Sequence, residues 1–181
     1  MKAVISRTIR TLPIAIALCL ATRVQADDLE PGDPFVATQI PSAQRDADLA
    51  AVRVFYEFWN TGDVRLLKRA LAPSFVDRTL PPGRPQGPDG AAFASHQFRG
   101  AVPDLKVKVE KLIVAGPYVT VHMHFTGHFT GTFGKVNGKG EALEFIATDL
   151  LKLSNGRITD NWHIEDNLTL LRQMGVATVA Q

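Results

Sequence analysis

The chain has 181 residues, with 20 basic and 18 acidic side chains, 45% hydrophobic residues and a single cysteine. So even a charge balance gives no support for a nucleic-acid partner, which needs a basic patch or stripe, and one cysteine cannot build a disulfide framework. The length suits a single domain whose core needs no covalent staple.

Met1, Lys2, Arg7 and Arg10 precede the apolar run Leu12 to Ala21, and Arg23 and "VQA" follow it. A basic head, a short apolar stretch and a small residue at the end read as a secretory signal peptide over residues 1–26, cut after Ala26. The run is shorter than the roughly 20 apolar residues of a membrane-spanning helix. The expected mature form is therefore periplasmic or secreted, with no stable membrane span. Lys2, Arg7, Arg10, Arg23 and Cys19 all leave with the signal, so the remainder is slightly acidic and free of thiol chemistry.

Residues 27–44 carry three prolines and no steady period, and read as an N-terminal lead-in or linker. The domain is expected over 45–176, with 177–181 as a C-terminal tail. Leu49, Val52, Phe55 or Tyr56, and Trp59 recur at helical spacing until Gly62 ends the run. Asp63 can cap the short helix "VRLLKRAL", which stops at Pro73. "SFVDRT" reads as a short strand, and the proline- and glycine-rich segment 81–90 as a loop, either a lid or an ordinary surface connection. A third helix is expected in "AAFASHQFRGAV".

Strands follow. "LKVKVEKLIVAG" alternates, with Leu105, Val107 and Val109 opposed to Lys106, Lys108 and Glu110, and "YVTVHMHFTGHF" alternates again with a bend expected at "TGH". "EALEFIATDLLKL" and "RITDNWHIED" pair across the turn "SNG", and "NLTLLRQMG" reads as a tail. There is no internal repeat. Helices first and antiparallel strands behind them make an α+β domain, with a cavity where helix and sheet part.

The blocks "FYEFWNTGD", "FVDRT", "VPDLKVKVEKLIVAGPYVTVHMHFTGHFTGTFG" and "ATDLLKLSNGRITDNWHIEDNLTLLRQMG" resemble the SnoaL-like polyketide-cyclase branch of the NTF2-like superfamily, over roughly residues 46–175. The resemblance implies a cone-shaped barrel, in which a strongly curved antiparallel sheet packs against N-terminal helices around a deep apolar pocket. It also implies acid/base chemistry with no metal or organic cofactor, and it allows a homodimer. The cyclase acid falls on Asp149, the final-strand tryptophan on Trp162 and the late acid on Asp166. Three positions depart from the pattern. Phe129 stands where the middle strand often has histidine, with His128 one residue earlier; Arg78 replaces another frequent histidine; and His163 follows Trp162 instead of preceding it.

Strand parity puts Asp149 with Phe145, Ala147 and Leu151, in apolar surroundings where burial raises a carboxyl's pKa toward proton-transfer range. The alternative role is a structural acid, hydrogen-bonded to fix the fold. His163 is the natural partner for such an acid, and His128 a second candidate, although the sequence leaves open which face of the last strand lines the cavity. Tyr56, Trp59, Phe75, Phe93, Phe98, Phe129 and Trp162 are candidates for pocket wall or core. His122, His124 and His128 share a strand face, but no nearby acid completes a metal site, so none is expected. The expected partner is a small hydrophobic molecule. Three functions fit: acid/base catalysis on a carbonyl compound (cyclase, isomerase or related lyase-type), non-catalytic binding of such a molecule, and a dimeric interaction module.

Overall fold

Twenty residues free of proline and glycine, between Pro41 and Gly62, form helix α1 (Ser42–Thr61). Val52, Phe55, Tyr56 and Phe58 are its buried stripe, and Gly62 ends it in the left-handed region at φ 74°, returning its N–H to the Phe58 carbonyl. The computed structural model describes residues 39–177. The signal peptide, most of the 27–44 lead-in and nearly all of the 177–181 tail lie outside the described residues. Among those that are described, no helix is long and apolar enough to cross a membrane.

Asp63 caps α2 (Val64–Ala70) by accepting from the Arg65 N–H at 3.0 Å. The chain then enters β1 (Leu71–Asp77), which contains Pro73. Proline supplies no ladder donor, which suits an edge strand with irregular register, and β1 is such a strand. Helix α3 (Pro88–Ala101) opens with proline at its first turn. Then come β2 (Lys106–Ala115), β3 (Tyr118–Phe129), the two-residue strands β4 (Thr132–Phe133) and β5 (Val136–Asn137), β6 (Glu141–Ser154) and β7 (Arg157–Glu165). The segment read as a tail forms helix α4 (Asn167–Gln173), capped by the Asp166 side chain.

The main sheet has the order β1-β7-β6-β3-β2. β7, β6, β3 and β2 pair antiparallel, while β1 joins β7 in parallel. The expected cone-shaped barrel with a strongly curved antiparallel sheet is thus corrected to an open, mixed sheet. β1 and β2 remain unpaired edges, and closure would have required them to meet. Nor is the sheet strongly curved. The central β3–β6 pair holds one unbroken register from Tyr118↔Lys152 to Phe129↔Glu141, with no bulge to bend it. β3 accordingly runs straight through Gly127, where a bend was expected. The glycine is there for closeness, since a Cβ at 127 would come within 2.5 Å of Val102 Cγ1.

The core lies between one sheet face and the helices, and β6 supplies its regular floor. Leu143, Phe145, Ala147, Leu151 and Leu153 are buried, and Phe145 stacks on Phe125 at 4.9 Å. The alternation expected for β2 breaks where its register shifts between Val109 and Lys111, which leaves Val109 and Leu112 partly in solvent.

Candidate functional site

On the same face of β6, Asp149 interrupts the apolar row. It is 2% exposed, and a carboxylate at that depth needs hydrogen-bonding partners. Two reach it from opposite sides. The Tyr56 hydroxyl of α1 donates to Oδ2 at 2.6 Å, and His163 Nδ1 of β7 lies 2.7 Å from Oδ1. The second contact follows from the strand register, which pairs Asp149 directly with His163. The other imidazole nitrogen, Nε2, is 3.5 Å from Glu165 Oε2, two residues along the same strand face. His163 is held from its backbone as well, because its N–H donates to Thr79 Oγ1 at 3.0 Å.

These contacts set the protonation states. Burial works against a charge on His163, but the hydrogen bonds to Asp149 and Glu165 and their negative charges outweigh it. Its pKa rises from 6.5 to about 10. At neutral pH the ring is therefore an imidazolium with both nitrogens protonated, so Nδ1–H donates to Asp149. Burial, and then the Asp149 charge and hydrogen bond, push the Tyr56 phenol well above its usual range, which keeps it a donor.

The group opens onto a cavity of about 290 Å³, near the small end of the range for ligand pockets. Phe55, Trp59, Phe75, Phe98, Met123 and Phe125 form its apolar wall. Asp149, Asn161, His163 and Glu165 supply polar groups on one side. Asp77, Thr79 and Arg84 supply others where β1 runs into the loop before α3. That loop is pinned to β1: Gln86 Oε1 accepts from the Asp77 N–H at 2.7 Å, and Gln86 Nε2 donates to the Asp77 carbonyl at 2.9 Å. The segment 81–90 therefore borders the cavity through Pro81 and Arg84, and from Pro88 onward it is helix.

The sequence-derived candidates divide. Asp149 and His163 come together, with Tyr56 behind them, and Trp59, Phe75 and Phe93 line the cavity. His128 does not join them. It lies exposed on β3, where its Nδ1 is 2.7 Å from Asp104 Oδ2. Phe129 is fully buried in the core. Trp162 faces away from His163 and carries the Arg78 guanidinium 5.9 Å above its ring. Asp166 caps α4 through Thr169. Among the described residues no group of three or more histidine, cysteine or acidic side chains is placed to hold a metal.

Several polar groups at the cavity were not anticipated, among them Glu165, Asn161, Asp77, Thr79 and Arg84. Glu165 and Asn161 share the His163 face and become legible by parity once that face is known to look inward. Asp77 lies in "FVDRT" and carries no local signal of its own.

The profile of the SnoaL-like polyketide cyclase family matches residues 49–174. A candidate polyketide cyclase from Bacillus cereus ATCC 10987 is 36% identical, with a TM-score of 0.70, over 81% of this chain and 94% of its own. IdmH, a candidate polyketide cyclase from Streptomyces antibioticus, is 26% identical with a TM-score of 0.64, over 71% and 99%. TsrD from Streptomyces laurentii, at 24% identity and a TM-score of 0.68 over 77% and 100%, shares the fold. No curated protein sequence matches the chain.

Proposed function

The chain belongs to the SnoaL-like polyketide cyclase family, and from that premise we propose cofactor-independent acid/base catalysis on a small, largely apolar carbonyl compound. The observation that carries this reading is the 2.7 Å contact between Asp149 and His163 at the wall of an aromatic cavity. In the proposed reaction the Asp149 carboxylate takes a proton from the carbon beside the carbonyl. Each of its oxygens accepts one hydrogen bond and keeps a second lone pair for that proton. The electron pair left on carbon moves onto the carbonyl oxygen, where His163 Nε2–H stabilises the enolate. Return of the proton to a different carbon completes an isomerisation. Attack of the enolate carbon on a second carbonyl of the same molecule closes a ring, and the proton then goes to the new alkoxide. Tyr56 holds the carboxylate in place throughout. The leader-like start of the sequence supports placing this activity outside the cytoplasm.

One observation favours a second reading, a non-catalytic protein that binds the same class of molecule: both Asp149 oxygens are engaged and its side chain is only 3% exposed. Proton exchange separates the two. Deuterium incorporation beside the carbonyl of 1-tetralone and acetylacetone is followed by NMR in D₂O. The catalytic reading expects exchange above the buffer rate, reduced about 100- to 10,000-fold in Asp149→Asn, with thermal unfolding of the variant still cooperative. Equal exchange by both proteins, or binding with no exchange by either, rejects catalysis.

A further inference from the structure

Two acids flank the His163 ring, and they are held very differently. Both oxygens of Asp149 are engaged, at 2.6 and 2.7 Å, in a side chain that is 3% exposed. The Glu165 side chain also lines the cavity, but it is 21% exposed, and its one ion pair among the described residues is the 3.5 Å approach of Oε2 to His163 Nε2. Its Oε1 has no partner among the described residues, and neither oxygen is sealed from solvent. The backbone beneath it is fixed. Glu165 pairs with Ala147 of β6, and the N–H of the next residue, Asp166, donates to the Ile146 carbonyl at 3.0 Å. A carboxylate accepts through about four lone-pair positions and donates nothing. β7 thus presents such a group to the cavity with its capacity almost unused.

The catalytic reading brings a substrate carbonyl to His163 Nε2, and a ketone alone would fit poorly there. Its oxygen would stand beside Glu165 Oε2, acceptor facing acceptor, and would take the N–H that Glu165 shares. A neighbouring hydroxyl on the substrate removes both costs, because it donates to the carboxylate while the carbonyl accepts from the ring. Hydrogen bonds to a charged acceptor are the stronger kind. We infer that Glu165 is a specificity-determining residue that binds a hydroxyl group on the carbon next to the substrate carbonyl. The inference rests on the catalytic reading for the carbonyl anchor, and on the under-used carboxylate for the hydroxyl. The spacing sets the class. Nε2 and Oε2 are 3.5 Å apart, so the two substrate oxygens are near neighbours, and a hydroxyl at the far end of a ring system cannot reach Glu165 while the carbonyl stays at Nε2. An ether offers no proton and gains nothing. An ammonium group would bring a second positive charge beside the imidazolium.

The test compares 1-tetralone with 2-hydroxy-1-tetralone, 2-methoxy-1-tetralone and 6-hydroxy-1-tetralone, with affinities read by calorimetry. The 2-hydroxy compound is expected to bind about 10-fold more tightly than 1-tetralone, as for one hydrogen bond to a charged acceptor. The 2-methoxy and 6-hydroxy compounds should bind no more tightly than 1-tetralone. In Glu165→Leu the preference disappears while 1-tetralone binding is retained. The proposal is overturned if the preference persists in the variant, if the methoxy or the remote hydroxyl compound gains as much, or if none of the four binds. Should Glu165→Leu fail to fold, the isosteric Glu165→Gln is expected to cut the preference by about threefold or more, since it removes the charge; an unchanged preference overturns the proposal. Failure of the catalytic reading looks different. The 2-hydroxy preference and its loss in Glu165→Leu would then be present with no α-proton exchange on any of the four. Conversely, Asp149-dependent exchange on 1-tetralone with no hydroxyl preference would keep that reading and overturn this inference.

Discussion

Tyr56→Phe removes one oxygen atom from the buried end of the site. The phenol donates at 2.6 Å to a carboxylate that is 2% exposed, and the tyrosine itself is 4% exposed. No water replaces the lost donor at that depth without rearrangement. A hydrogen bond to a charged group contributes about 1.5–3 kcal/mol, and a domain of this size loses roughly 3–4 °C of Tm per kcal/mol. The variant is therefore expected to melt roughly 5–12 °C lower. The ring stays, so the edge-on contact with Phe55 at 5.4 Å is preserved and packing changes little. The assay is urea and thermal unfolding of four proteins: the parent, Tyr56→Phe, Asp149→Asn, and the double variant. The coupling energy should account for most of the Tyr56→Phe effect, at about 1 kcal/mol or more, because the hydroxyl has no charge to serve once residue 149 is neutral. A Tyr56→Phe cost below about 0.5 kcal/mol, typical of an unremarkable surface change, would refute the reasoning. So would an equal cost in both backgrounds.

Two further outcomes follow from the geometry. The folded state holds the His163 proton with a pKa of about 10 against an ordinary 6.5; its contribution to stability is complete below about pH 6.5 and is lost as pH rises through 10. Chemical unfolding across that window should show the parent losing stability with pH more steeply than His163→Gln; parallel curves would remove His163 as the cause. Gly127→Ala pushes a Cβ to 2.5 Å from Val102 Cγ1 beside the Leu105 backbone. Overpacking of this kind costs about 1–3 kcal/mol, and an unchanged urea midpoint would mean that the β3 end relaxes freely.

Much of this architecture is written in local periodicity. β6 alternates so regularly that the sequence alone marks Asp149 as an acid in a buried row. The β7 face was undecidable from its own residues, since Asn161 and His163 on one side, and Trp162 and Ile164 on the other, are equally mixed in character. It is decided by an irregularity in the β6–β7 pairing: the register leaving the turn, Ser154↔Arg157 and Leu153↔Ile158, would carry Trp162 opposite Asp149, and the one-residue shift between Lys152 and Leu153 sets His163 there instead. Tyr56 as partner of that acid is a contact across 93 residues, and no helical pattern in α1 distinguishes it from Phe55. His128 misled because the resemblance has a histidine one residue later, at Phe129, and with no bulge in the β3–β6 register that single step leaves His128 on the outer face with His122 and His124. The closed cone failed for a related reason. Whether two edge strands meet depends on their pairing far apart in the chain, and here β1 turned to lie parallel beside β7.

The central claim is that His163 is a cation held by Asp149 at the cavity wall. It is tested most directly by the imidazole ¹⁵N shifts of His163 in labelled protein, titrated from pH 5 to 11 in the parent and in Asp149→Asn. Both ring nitrogens should remain protonated in the parent until about pH 10, and the transition should fall well below that in the variant. A parent His163 that titrates near 6.5, with no change in Asp149→Asn, would leave no cation to receive an enolate and would contradict the account.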